Sequence, residues 1–85
     1  MTAKSRSVKF SKEAAKAIQS PDLPIDTIKD AIAEIVTNPL AGTALKAKLS
    51  GLRRYRVGRY RIVYSFNDEE ITFTSIAHRK DVYYR

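Results

Sequence analysis

Cysteine is absent from the 85 residues, which excludes disulfides, a thiolate nucleophile and a thiolate metal site. There is one histidine, His78, and no acidic cluster around it in the sequence. That argues against a catalytic zinc site, and neither a metal nor another cofactor is expected. No stretch approaches the ~18 apolar residues of a membrane span. The opening Met1-Thr2-Ala3-Lys4-Ser5-Arg6 leads into a charged segment rather than an apolar one, so the expectation is a soluble cytoplasmic protein with no membrane contact. Internal repeats, low-complexity tracts and linkers are also missing, which leaves one domain over residues 1–85. A hydrophobic fraction of 44% is enough for a modest core.

Acidic residues are scarce. Nine stand against sixteen basic ones, for a net charge of +7. Such a balance favours a polyanionic partner. The basic residues are also sorted by type: seven of eight lysines lie in residues 1–48, whereas seven of eight arginines and all five tyrosines lie in 49–85. Lysine is a flexible, strongly hydrated point charge. Arginine presents a planar fork that holds a phosphate bidentately or stacks on a base. The chain therefore divides into a lysine-bearing half and an arginine-tyrosine half.

Ser7-Val8-Lys9-Phe10 alternates as a strand does. Ser11 is a good helix cap for an alanine- and lysine-rich helix over 12–19, which Ser20-Pro21-Asp22-Leu23-Pro24 breaks. A second helix is expected over about 26–37, with Ile28, Ala31, Ile32 and Ile35 forming one apolar stripe. Asn38-Pro39 ends it. Residues 40–51 are ambiguous. Then the period changes to two: 54–57, 59–66 and 71–77 alternate, with Gly58-Arg59 as a hairpin turn and Asn67-Asp68-Glu69-Glu70 as a second turn. The order β-α-α-β-β-β predicts an α+β fold: two N-terminal helices on a small, largely antiparallel four-stranded sheet.

A Gly58-Arg59 loop sets Val57 opposite Tyr60, Arg56 opposite Arg61 and Tyr55 opposite Ile62. Cross-strand partners share a face. Tyr55, Val57, Tyr60, Ile62, Tyr64 and Phe66 then face the helices, and Arg54, Arg56, Arg61, Val63 and Ser65 face away. Continuing the same register through the second turn puts Phe66 beside Ile71 and Tyr64 beside Phe73. It also adds Thr72, Thr74, Ile76 and His78 to the arginine face. Opposed like charges cost a sheet up to ~1 kcal/mol, and a bound anion relieves that repulsion. Solvated arginines splayed into water are the bland alternative.

The stretch Arg56-Val57-Gly58-Arg59-Tyr60-Arg61-Ile62-Val63-Tyr64, the acidic turn after it, and the closing His78-Arg79-Lys80-Asp81-Val82-Tyr83 resemble the RelE/ParE superfamily of toxins. The resemblance runs from Leu49 to Tyr83; the helical half matches in order and length only. It implies a RelE-like toxin that cleaves mRNA in the A site of the 70S ribosome without metal. In that chemistry the ribose 2′-OH attacks the neighbouring phosphate. It also implies a RelB-like antitoxin as partner, with ribosomal RNA and mRNA as the other contacts. By resemblance, Arg61 binds the scissile phosphate, Arg79 steadies the transition state or leaving group, and Tyr83 stacks on or orients the base. Arg54 and Arg56 stand where the best-studied branch has lysines. Arginine does not exchange protons, so His78 is the candidate acid or base, with Arg56 in the catalytic set. Arg54, Arg59, Lys46, Lys48 and Tyr84 are the expected further RNA contacts. A ParE-like inhibitor of DNA gyrase shares the fold and is the competing expectation, with an inactive RNA-binding relative as a third.

Overall fold

The computed structural model describes residues 6–78. Strand β1 (Ser7–Phe10) runs into helix α1 (Lys12–Ile18) through Ser11, whose hydroxyl accepts the Ala14 N–H at 3.1 Å. This satisfies one of the donors that a helix start leaves open. Helix α2 (Ile25–Thr37) buries Ile28, Ala31 and Ile35 completely or nearly so, and Ile32 partly, as its apolar spacing requires. Asn38 stops α2 and caps a short 3-10 turn, Pro39–Ala41, by accepting the Leu40 N–H.

Four further strands follow: β2 (Thr43–Ala44), β3 (Arg53–Val57), β4 (Tyr60–Phe66) and β5 (Glu70–His78). They form one sheet in the order β1-β5-β4-β3-β2, with β1 parallel to β5 and every other pair antiparallel. The sheet therefore has five strands, not four. The addition, β2, lies in the ambiguous 40–51 segment, and two residues are too few to show an alternation. The class is the expected α+β, with both helices on one face of the sheet. The core is Ile28 and Ile35 against Ile62, Tyr64, Ile71, Phe73 and Ile76. Each such buried side chain contributes roughly 1.5–3 kcal/mol of transfer free energy.

The tight turn between β3 and β4 is Gly58-Arg59, with Gly58 at φ +58°, so Arg56 faces Arg61 as the sequence predicts. The far turn is held by Asn67, whose side-chain oxygen accepts the N–H groups of Glu69 and Glu70. From there Phe66 pairs with Ile71 and Tyr64 with Phe73, also as expected.

The register then changes. Val63 pairs with Ser75, leaving Thr74 as an extra residue on β5. This β-bulge reverses the faces of everything after it. Ile76 pairs with Ile62 and is buried in the core, and His78 pairs with Tyr60. The expectation that Ile76 and His78 share the arginine face is thus corrected. Ser75 and Ala77 take those places, opposite Val63 and Arg61. The bulge is anchored by Ser11: its N–H donates to the Phe73 carbonyl at 2.9 Å and its hydroxyl to the Thr74 carbonyl at 2.6 Å. The residue that caps α1 also holds the bulge.

Tyr64 links the sheet to the loop after α2. Its buried hydroxyl donates to the Pro39 carbonyl at 2.6 Å and accepts the Gly42 N–H at 3.0 Å. A Cβ on Gly42 would stand 2.7 Å from that oxygen and 2.8 Å from the Arg54 carbonyl, so only glycine fits. Arg53, beside Tyr64 on β3, donates to the Gly42 carbonyl at 2.6 Å. These bonds fix β2 at the edge of the sheet.

Candidate functional site

Arg54, Arg56 and Arg61 project from the face of the sheet opposite helices α1 and α2. Alternation along β3 places Arg54 and Arg56 on one side, and the hairpin register sets Arg61 directly across from Arg56. Val63 lies on the same face opposite Arg54 and is only 5% exposed. The arginines therefore stand around a covered apolar centre. Among the described residues Lys9–Glu70, at 3.1 Å, is the ion pair present, and it joins β1 to β5 at the other side of the sheet. Neither Arg54 nor Arg56 has a carboxylate partner within the described residues. Their charges are available to an anion, whereas burial against a carboxylate would have consumed them.

A cavity of about 480 Å³ lies at the β2–β3 edge of the sheet, lined by Ala41, Thr43, Arg54, Tyr55 and Arg56. Thr43 reaches it because β2 pairs with β3 in a register that sets Thr43 beside Arg54. The sequence carries no signal for Thr43, since nothing in a two-residue strand marks its face.

A second cavity, also about 480 Å³, lies on the helix side of the sheet, between the α1–α2 loop, the start of β4 and the end of β5. Leu23, Asp22, Tyr60 and His78 line it. The Tyr60 and His78 rings meet edge-on with centroids 5.4 Å apart. The structure thus separates two expected partners. Arg61 faces out from the sheet, while His78 faces the helices beside Tyr60.

Of the other expected residues, Arg59 is exposed in the hairpin turn. Lys46 and Lys48 are exposed on either side of Ala47, whose φ of +58° is left-handed, and neither lysine lines the arginine cavity. Arg79, Tyr83 and Tyr84 lie outside the described residues. The described residues contain no group of three His, Asp or Glu side chains able to hold a metal ion. They also contain no helix long and apolar enough to cross a membrane.

The fold shifts the titration of Tyr55. The Tyr55 hydroxyl donates to the Glu34 carboxylate on α2. That bond, with lesser help from burial and from the Glu34 charge, raises the Tyr55 pKa above its ordinary 10.0. The phenol thereby stays neutral and ties α2 to β3.

Residues 8–83 match the family model described as the ParE toxin of type II toxin–antitoxin systems, parDE. The fold matches solved structures of such toxins. The YoeB dimer from Staphylococcus aureus is 25% identical, covers 88% of this chain and 98% of its own, and superposes with a TM-score of 0.72. The RelBE2 toxin–antitoxin complex from Mycobacterium tuberculosis is 23% identical over 87% of this chain and 98% of that one, with a TM-score of 0.70. The YafQ toxin in the E. coli DinJ–YafQ complex shares the fold at 16% identity, covering 94% of this chain and 99% of that one, with a TM-score of 0.74. The sequence matches none of the curated proteins. The chain belongs to the ParE toxin family of type II toxin–antitoxin systems, within the RelE/ParE superfamily.

Proposed function

We propose that this toxin is a ribosome-dependent endoribonuclease that cuts mRNA in the A site. The observation that carries the proposal is the opposition of Arg56 and Arg61 on the sheet face turned away from helices α1 and α2, with Arg54 beside them. In the proposed step the 2′-OH loses its proton and its oxygen bonds to the adjacent phosphorus. The bond to the 5′ oxygen breaks, and that oxygen takes up a proton. The products are a cyclic phosphate and a 5′-OH. Arg56 and Arg61 stabilise the charge that builds on the phosphate oxygens in between. Arg79 and Tyr83 take the leaving-group and base-orienting roles by family resemblance. His78 faces the helices, on the side of the sheet opposite Arg61, so direct proton exchange at the Arg61 phosphate is not assigned to it. In this reading catalysis rests mainly on electrostatics, with the ribosome supplying substrate geometry.

An antitoxin is the proposed partner. Relatives of the same fold crystallise as DinJ–YafQ and RelB–RelE complexes. Covering the arginine face would both neutralise charge and exclude RNA.

The test is mapping of mRNA ends by primer extension after brief induction, with Arg61→Ala beside the wild type. Breaks confined to translated codons and absent from the variant are expected. A second activity, inhibition of DNA gyrase, has its own motive in the ParE family match. Cleaved DNA in a purified gyrase assay, with intact mRNA in cells, would select it.

A further inference from the structure

We propose that the cavity lined by Ala41, Thr43, Arg54 and Arg56 is a second phosphate subsite, one nucleotide along the strand from the phosphate held at Arg61. It rests on the RNA-cleaving function proposed above and adds to it a place for the neighbouring phosphate and a new contact residue, Thr43. Three observations support it. Arg61 lies one strand away and does not line the cavity, so the two anion positions are distinct. Arg54 and Arg56 both line it and have no carboxylate partner within the described residues. Thr43 adds a hydroxyl from β2, held beside Arg54 by the strand register.

The spacing fits an extended nucleic-acid strand. Alternate residues on a strand are about 6.7 Å apart and neighbouring strands about 4.8 Å. The Arg56–Arg61 pair and the Arg54–Thr43 pair are therefore offset by one alternate-residue step along the strands and one strand across, a displacement comparable to that between successive phosphates. Arg56 sits between the two positions and can serve both through its forked guanidinium. Such a row sets the register of the strand. A phosphate in the Thr43 cavity fixes which phosphate reaches Arg61.

The experiment uses the full chain and two uncleavable 2′-O-methyl oligonucleotides, a dinucleotide with one phosphate and a trinucleotide with two. Binding is followed by NMR shifts of the arginine side-chain N–H groups at low salt, which reads weak affinities. The trinucleotide is expected to bind roughly tenfold more tightly than the dinucleotide, the effect of one added charge-assisted contact. Its log–log salt slope should be steeper by about 0.7. The double variant Thr43→Val/Arg54→Gln should bind the trinucleotide no better than the dinucleotide, and Thr43→Ser should keep the wild-type difference. Equal binding of the two oligonucleotides by the wild type would overturn the subsite. So would a double variant that weakens both alike. If the two oligonucleotides bind equally and both depend on Arg61, the subsite falls and the RNA function stands. If the wild type binds neither oligonucleotide, the subsite falls, and the RNA function is judged by the mapping of mRNA ends alone.

Discussion

The rings of Tyr60 and His78 meet edge-on, with 75° between their planes, at paired positions of β4 and β5. One inserted residue, Thr74, creates that pairing and turns Ile76 inward with it. The bulge therefore makes a testable division between neighbours. Ile76→Ala should cost about 2–4 kcal/mol, as expected for a large side chain removed from a core. Ala77→Ser, on the open face, should stay within about 0.5 kcal/mol. Urea unfolding curves give both values. The reverse order would mean that β5 runs without its bulge.

Tyr64 and Gly42 form a second dependency. Tyr64→Phe removes a buried hydroxyl and strands the Pro39 carbonyl and the Gly42 N–H. A loss of about 1–3 kcal/mol is expected. Gly42→Ala should cost as much or more, because its methyl would meet the backbone oxygen of Arg54 as well as the Tyr64 hydroxyl. Combining the two should cost less than the sum, because removing the Tyr64 hydroxyl leaves room for the methyl. A thermal-melt cycle of the four proteins reads the coupling.

Arg56 is predicted to work against stability. Replacing it with threonine removes the repulsion facing Arg61 and should stabilise the fold by up to ~1 kcal/mol. The same variant should lose RNA cleavage. Salt should raise the stability of the wild type more than that of Arg56→Thr, because ions screen the repulsion. Equal salt responses in chemical denaturation would refute it.

The Tyr55–Glu34 bond gives a pH dependence of defined sign. The folded protein holds the Tyr55 proton more tightly than the unfolded chain does. Its contribution is then fully present below about pH 10 and is lost as the pH rises through the higher folded-state value. In Glu34→Ala the Tyr55 titration should return toward 10.0, its ordinary value. Carbon-13 NMR of the ring Cζ separates Tyr55 from the other tyrosines. An unchanged titration in the variant would show that the bond is not the cause.

Much of this fold was legible because it is written in short-range terms. The apolar stripe of α2 has the helical period, Ser11 is a capping residue, and Gly58 supplies the positive φ that the hairpin turn needs. Together these decide the helices, the hairpin and the face on which Arg54, Arg56 and Arg61 gather. The strand β2 was not legible. Two residues have no period, and their place depends on the distant Tyr64 hydroxyl and Arg53 guanidinium.

The sequence by itself determined that three arginines share one sheet face, because a two-residue turn and strict alternation leave no other register. Only the tertiary structure decided the side on which His78 lies. That choice depends on where β5 takes its extra residue, and Ser11, sixty-three positions away, holds the carbonyl of that residue. A local pattern cannot encode the phase of a strand when the bond that sets it comes from the far end of the chain.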